Sequence, residues 1–219
     1  MVFKPQVFAT LALSVLGAGL SPTPVRALDL EPVHDYPRLE VEFVRLISYF
    51  DYEKVRTLRI GQLMETVVNS EEFRRRVLAH KWNGKVQYAD NDGLTNEEIY
   101  AKIREAIEHD NPDGRPHVME LVHRMGRPWF CSWRRAIGFT VFGSPVITTY
   151  FCKYHRMSDA DLGGHFVHEW MHRIGFVHDF HRTAKRPYSV PYGVGRIAGE
   201  IMDELLGTQS ALHPDVDQD

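Results

Sequence analysis

The segment His168-Glu169-Trp170-Met171-His172-Arg173-Ile174-Gly175-Phe176-Val177-His178 sets three imidazoles, one carboxylate and one glycine at fixed intervals. On a helix, residues four apart lie one turn above each other. His168 and His172 therefore project from one face and can share a Zn²⁺. Glu169 follows the first of them and points to its side, where it can take a proton from a metal-activated water without itself ligating. Two histidines leave such a site one protein ligand short. Gly175 supplies the geometry for the third: at the end of the helix it enters the left-handed region at little steric cost, and His178 swings back under the helix to complete a His₃ set. The fourth position is left for water or substrate. A zinc ion held this way lowers the pKa of its water toward ~7 and polarises a carbonyl. A bare His-Glu-x-x-His also arises as a buried histidine pair on a core helix. The longer string, with its glycine and third histidine, is far more specific.

The flanking residues agree with that placement. Ser158-Asp159-Ala160-Asp161 reads as a helix start, with a hydroxyl N-cap and acids near the positive end of the helix dipole. His165 lies on roughly the same face one turn earlier and reads as packing or as support around the ligands. His181 and Arg182 read as a solvated loop, or as a rim that meets substrate. Upstream, β-branched and aromatic residues dominate 136–142 and 146–154, and Gly143-Ser144-Pro145 joins them, which predicts a hairpin.

The 168–178 string resembles the zinc-binding signature of the metzincin clan of zinc endopeptidases. Asp179, directly after the third histidine, is similar to the adamalysin/reprolysin branch, where an aspartate there braces the loop; a plain turn-capping aspartate is the alternative. The resemblance covers residues 136–195 and implies an α+β fold: a mixed sheet, an active-site helix beneath it and a C-terminal helix. It also implies that an edge strand, here within 136–154, binds extended peptide by strand addition. One feature departs from the clan, which carries a methionine turn beneath the zinc. Here Met202 falls in what reads as a helix interior, and Ser189-Val190-Pro191-Tyr192-Gly193 resembles the astacin-type turn without its methionine. The expectation is a turn built on Pro191, with Met202 as the alternative turn residue. Tyr192 then takes the place of the oxyanion-stabilising tyrosine of astacin-like enzymes, or else simply packs beside the turn.

The rest of the chain reads as one domain over residues 28–219, helical over 28–125. Leu39, Phe43, Leu46 and Ile47 recur at helical spacing, as do Val55, Leu58, Leu63 and Val67. Ser70 caps a short helix. Thr95 opens another, predicted to run to about His109 with Ile99, Ile103 and Ile107 as its apolar ridge. Val118–Met125 reads as a further short element. Asp90-Asn91-Asp92-Gly93 invites a calcium loop, but Gly93 at the sixth position puts Tyr88 first and Ile99 twelfth, where carboxylates are needed. It is an ordinary turn.

The first 27 residues read as an address. Lys4 precedes an uncharged apolar run from Val7 to Leu20, short for a bilayer span and of the length of a signal-peptide core, and Val25-Arg26-Ala27 follows. An uncleaved anchor or a buried N-terminal helix is the alternative. Export, to a periplasm or the medium, permits Cys131 and Cys152 to form a disulfide across the predicted hairpin, the alternative being two buried thiols.

The whole chain has 219 residues, 26 basic and 29 acidic, for a formal charge of −3. Removing Lys4 and Arg26 with the address leaves 24 basic against 29 acidic residues, or −5. No basic field for nucleic acid exists in that balance. The expected activity is an exported zinc metallopeptidase acting on a peptide or protein, without stable membrane insertion. A zinc amidohydrolase for a non-peptide or cell-wall amide, or an inactive zinc-binding envelope protein, are the rivals. Glu169 argues against the last, since a purely structural zinc has no need of it.

Overall fold

The structure is a computed structural model that describes residues 30–207 apart from 110, 112, 113, 128–130, 132–135 and 142. The proposed signal segment and Phe142 lie outside the described residues. Four strands form the main sheet: β1 (Glu40–Ile47), β4 (Val118–Gly126), β5 (Gly138–Thr140) and β6 (Val146–Tyr150), in the order β1-β4-β6-β5. β1 and β6 both run parallel to β4, and β5 closes one edge antiparallel to β6. A two-stranded hairpin, β2 (Lys81–Trp82) with β3 (Lys85–Val86), stands apart. The helices are α1 (Asp51–Val68), α2 (Glu71–Leu78), α3 (Asn96–Glu105), α4 (Phe151–Tyr154), α5 (Asp159–Arg173) and α6 (Val190–Leu206). The architecture is mixed, α+β in coarse terms.

The predicted hairpin forms, with Gly138 opposite Thr149 and Thr140 opposite Ile147. Its second arm is shorter than expected, because the chain turns into α4 at Phe151. Cys131 and Cys152 are joined in a disulfide, Cα to Cα 6.1 Å. Val118–Met125 is a strand at the sheet centre, with Met119, Leu121, His123 and Met125 buried on alternate positions.

Residues 40–47 are a strand, not the expected helix. Between Glu42 and Arg45 the pairing with β4 slips by a residue, three steps on β1 matching two on β4. Such a bulge shifts a two-residue alternation by one place. It is how Leu39, Phe43, Leu46 and Ile47 acquire a helix-like spacing within a strand. α1 exists as read, and of the four apolar positions read for it Val67 is buried and Leu63 packs partly buried against the core, but the other two face out. Val55 and Leu58 are exposed, while Thr57, Ile60, Gly61, Met64, Val67 and Val68 are buried. Gly61 makes that face workable, because a Cβ there would meet the Phe43 ring at 2.9 Å. α3 stops at Glu105, with Ala106 in the left-handed region; Ile99 and Ile103 are buried, but Ile107 lies beyond the helix and is half exposed.

α5 lies beneath the sheet, and its side chains touch all four strands. Phe166 packs edge-on to Phe43 of β1 and His123 of β4. His165 meets Thr149 of β6, and Glu169 meets Thr140 of β5. α6 then packs against α5 at glycines: a Cβ on Gly164 would lie 2.8 Å from the Gly195 carbonyl oxygen. Large buried residues fill the space around them, among them Trp170, Phe176, Ile197 and Met202. Among the described residues, no helix is long and apolar enough to cross a membrane.

Candidate metal centre

α5 begins as its sequence predicts. The Ser158 hydroxyl accepts from the Asp161 amide, and the Asp161 carboxylate accepts from the Ser158 amide, a reciprocal cap. The helix ends as predicted too. Gly175 has φ +96°, and a Cβ there would come 2.7 Å from His109 Nε2, so conformation and space both require glycine. Phe176 is fully buried, and its amide donates to the Met171 carbonyl at 3.0 Å, which anchors the returning chain.

That return brings the three histidines together. One ligating atom from each of His168, His172 and His178 lies within 4.8 Å of the others, a group that could hold a metal ion. The ring centroids are 5.1 Å apart for His168 and His172, 5.2 Å for His168 and His178, and 4.8 Å for His172 and His178.

Two backbone carbonyls fix the tautomers. His172 Nδ1 is 2.8 Å from the Phe176 oxygen, and His178 Nδ1 is 3.0 Å from the Asp179 oxygen. A carbonyl only accepts, so each Nδ1 carries the proton and each Nε2 keeps its lone pair for a metal. His168 is 2% exposed, and its Nδ1 is buried without a hydrogen-bond partner among the described residues. Burial, together with the charges of His178 and Arg186, holds His172 at about 4. Burial first, and then its histidine neighbours and Arg186, holds His168 well below the ordinary histidine range. Both shifts favour neutral His168 and His172 at neutral pH, the form that ligates. The donor set fits a borderline metal such as zinc.

Glu169 follows His168 on α5 and is 3% exposed. Burial raises its pKa to about 7, against a lowering hydrogen bond from the Thr140 hydroxyl to Oε2 at 2.6 Å. A carboxyl poised near neutrality suits a group that must both accept and release a proton. Thr140 was not predicted; its partner is 29 residues away in sequence and on another element.

Tyr192 is also here, its ring 4.5 Å from His168 and 4.8 Å from His178. The segment carrying it is not the expected turn. Ser189 is the N-cap of α6 and Pro191 sits in its first turn, where the missing amide proton costs nothing. Met202 is inside α6, as its sequence reads; it packs against Gly163, whose Cβ would meet Met202 Cε at 2.8 Å. Arg186, 4% exposed, lays its guanidinium over the Tyr192 ring at 5.1 Å. Sequence reading had not placed Arg186 at the site.

Asp179 braces the loop. Its carboxylate accepts from Thr183 Oγ1 at 2.5 Å and pairs with Lys185 at 3.2 Å, and these contacts lower its pKa. Lys185 also pairs with Asp90 at 2.7 Å, tying this loop to the Asp90–Gly93 turn. His181 and Arg182 are exposed on the same loop. His165 stands behind Glu169, its Nδ1 3.7 Å from Oε1.

Compared with family models, curated proteins and solved structures, the chain matches none.

Proposed function

We propose that this chain is a zinc-dependent, metzincin-like metallopeptidase that works after export. The observation that carries the reading is a buried carboxylate, Glu169, directly after the first of three histidines whose ligating atoms converge within 4.8 Å. A purely structural metal site has no use for that carboxylate.

Zn²⁺ held by His168, His172 and His178 would supply a Lewis acid that lowers the pKa of water and polarises a carbonyl. Glu169 takes the proton from the attacking water and later delivers it to the leaving amine nitrogen. The Thr140 hydroxyl keeps the carboxylate turned toward its work. Tyr192 donates its phenol proton to the oxyanion that develops on the substrate carbonyl. Among the described residues the sheet ends at β5, whose backbone can pair with an extended peptide, so the substrate strand lies next to Thr140 and Glu169. The Cys131–Cys152 disulfide supports an oxidising destination.

The test compares purified parent protein with Glu169→Gln, each loaded with zinc, on a denatured-protein mixture. Cleavage by the parent and loss of at least ~100-fold in the variant, at equal zinc content, is the expected result. Equal cleavage by the two would overturn the assignment of Glu169.

A further inference from the structure

One end of the molecule presents an apolar, cationic face that neither the core nor the histidine group uses. Phe50, Tyr52 and Val55 are each more than half exposed, and Leu58 and Phe151 are exposed as well. Single apolar residues on a surface are ordinary, but these are joined. Phe50 stacks on Tyr52 with ring centroids 5.9 Å apart, Tyr52 lies 6.0 Å from the His155 ring, and His155 lies 5.8 Å from Phe151. Arg127 closes the circuit, its guanidinium 4.4 Å from the Phe50 ring centre and 5.4 Å from that of Phe151. Val55 and Leu58 extend the face along α1 at three-residue steps from Tyr52.

A buried carboxylate holds this face in place. Glu53 is fully buried among these residues and accepts from the Phe50 amide at 2.8 Å and from Arg127 Nη2 at 2.6 Å. Its other oxygen is 2.9 Å from His155 Nε2. The rings are therefore set before any partner arrives, which lowers the ordering cost of binding. The charges around them are one-sided. Asp51 pairs with Lys54, Glu53 with Arg127, and Asp159 with Arg56 and Arg59, while the Asp161 carboxylate takes the Ser158 amide. Lys153 and Arg156, either side of His155 in sequence, have no carboxylate partner among the described residues. Residues 50–59, 127 and 151–161 hold six basic against four acidic side chains, in a chain whose net charge is −3.

We propose that this face docks reversibly on an anionic phospholipid bilayer, with Phe50, Tyr52, Val55 and Phe151 entering the headgroup boundary and Lys153 and Arg156 meeting lipid phosphates. Aromatic side chains favour that depth, and basic residues beside them add attraction to anionic lipid. A second copy docking through the same face would bring two surfaces of one sign together, which charge opposes. The face lies at the start of α5, where Arg56 reaches Asp159 at 2.7 Å. His168 is nine residues further along that helix, about 14 Å at a rise of 1.5 Å per residue. Docking leaves the histidine group at the other end of α5, so the proposal does not depend on what that group binds.

The test mixes the full-chain protein with sedimentable vesicles of phosphatidylcholine alone, or of phosphatidylcholine with an equal part of phosphatidylglycerol. The parent is expected to pellet with the mixed vesicles, less so as salt rises, and to stay in solution with phosphatidylcholine alone. Lys153→Ser with Arg156→Ser is expected to weaken binding roughly thirty-fold, from about five-fold for each basic residue near an anionic surface. Phe50→Ser with Tyr52→Ser removes two rings while placing a favoured cap at the start of α1, and is expected to weaken binding at least ~ten-fold. No binding by the parent, or equal binding to both kinds of vesicle, would overturn the proposal. So would parent-like binding by either folded pair of substitutions, since the residues before Leu30 are common to all three proteins. A lipid-free dimer that Phe50→Ser with Tyr52→Ser turns into a monomer would overturn it too, by assigning the face to self-association. If one pair does not fold, the other decides.

Discussion

Gly195 of α6 stands directly against Gly164 and His168 of α5: a Cβ placed on it would lie 2.7 Å from the Gly164 carbonyl oxygen and 2.8 Å from the His168 Cβ. The two helices thus meet backbone to backbone at one of the three clustered histidines. Three residues earlier on α6, Tyr192 is delivered onto the His168 and His178 rings. Close helix packing and the composition of the site are one feature, built by glycine.

Gly195→Ala should therefore affect both. Overpacking at this contact is expected to cost about 1–3 kcal/mol, read by urea unfolding of the metal-free protein. Displacement of His168 is expected to weaken zinc binding in a chelator competition, whereas unchanged affinity would show that the contact is structural alone.

Thr140→Val removes the donor to Glu169 Oε2 and keeps the side-chain shape. Burial already raises the Glu169 pKa, and the Thr140 bond holds it down, so its loss raises it further. A base with a raised pKa needs a higher pH to be ionised. The acid limb of the kcat/KM profile is expected to move to higher pH in the variant. A limb that stays in place would separate Thr140 from the base.

Much of this site was legible because its determinants are local. The cap at Ser158, the four-residue spacing of His168 and His172, and the glycine at 175 all act within one helix and its exit. Thr140 and the Thr149 contact with His165 escaped because they meet α5 across the sheet, at separations no periodicity encodes. β1 was misread for a related reason: its bulge between Glu42 and Arg45 is defined by pairing with β4 and leaves a false helical rhythm behind. Ser189–Gly193 was read as a turn built on Pro191 because the segment resembles the astacin-type turn in the corresponding place. A proline is equally suited to the first turn of a helix.

Glu108 and Arg173 form a buried pair at 2.6 Å, and Glu108 also accepts from Trp170 Nε1 at 2.7 Å. Both Arg173 and Trp170 belong to α5, the helix that carries His168 and His172. Glu108→Ala leaves the buried guanidinium without that carboxylate, and a loss of about 3–5 kcal/mol is expected in denaturant unfolding. A loss below about 1 kcal/mol would mean that the pair adds little to holding α5.

Acid should weaken the fold through buried neutral histidines. His80, stacked on Tyr88 at 4.0 Å, has its pKa lowered to about 4 by burial and by Arg196. Below the unfolded-state pKa the unfolded chain binds a proton that the folded chain refuses. Its contribution is thus full above about pH 6.5 and lost as pH falls toward 4. His80→Phe keeps the stacking and cannot charge. The stability difference between parent and variant is expected to shift in favour of the variant from pH 7 to pH 5, measured on the metal-free proteins by chemical denaturation. A difference constant with pH would contradict this.

The central claim is that His168, His172 and His178 bind one zinc ion with an open fourth position. X-ray absorption at the zinc edge, on protein purified without chelators and reloaded, tests it most directly. The account predicts one zinc per chain with three imidazole nitrogens at about 2.0–2.1 Å and one further light ligand, reduced to two imidazoles in His178→Ala. No bound zinc, or an unchanged spectrum in that variant, would contradict it.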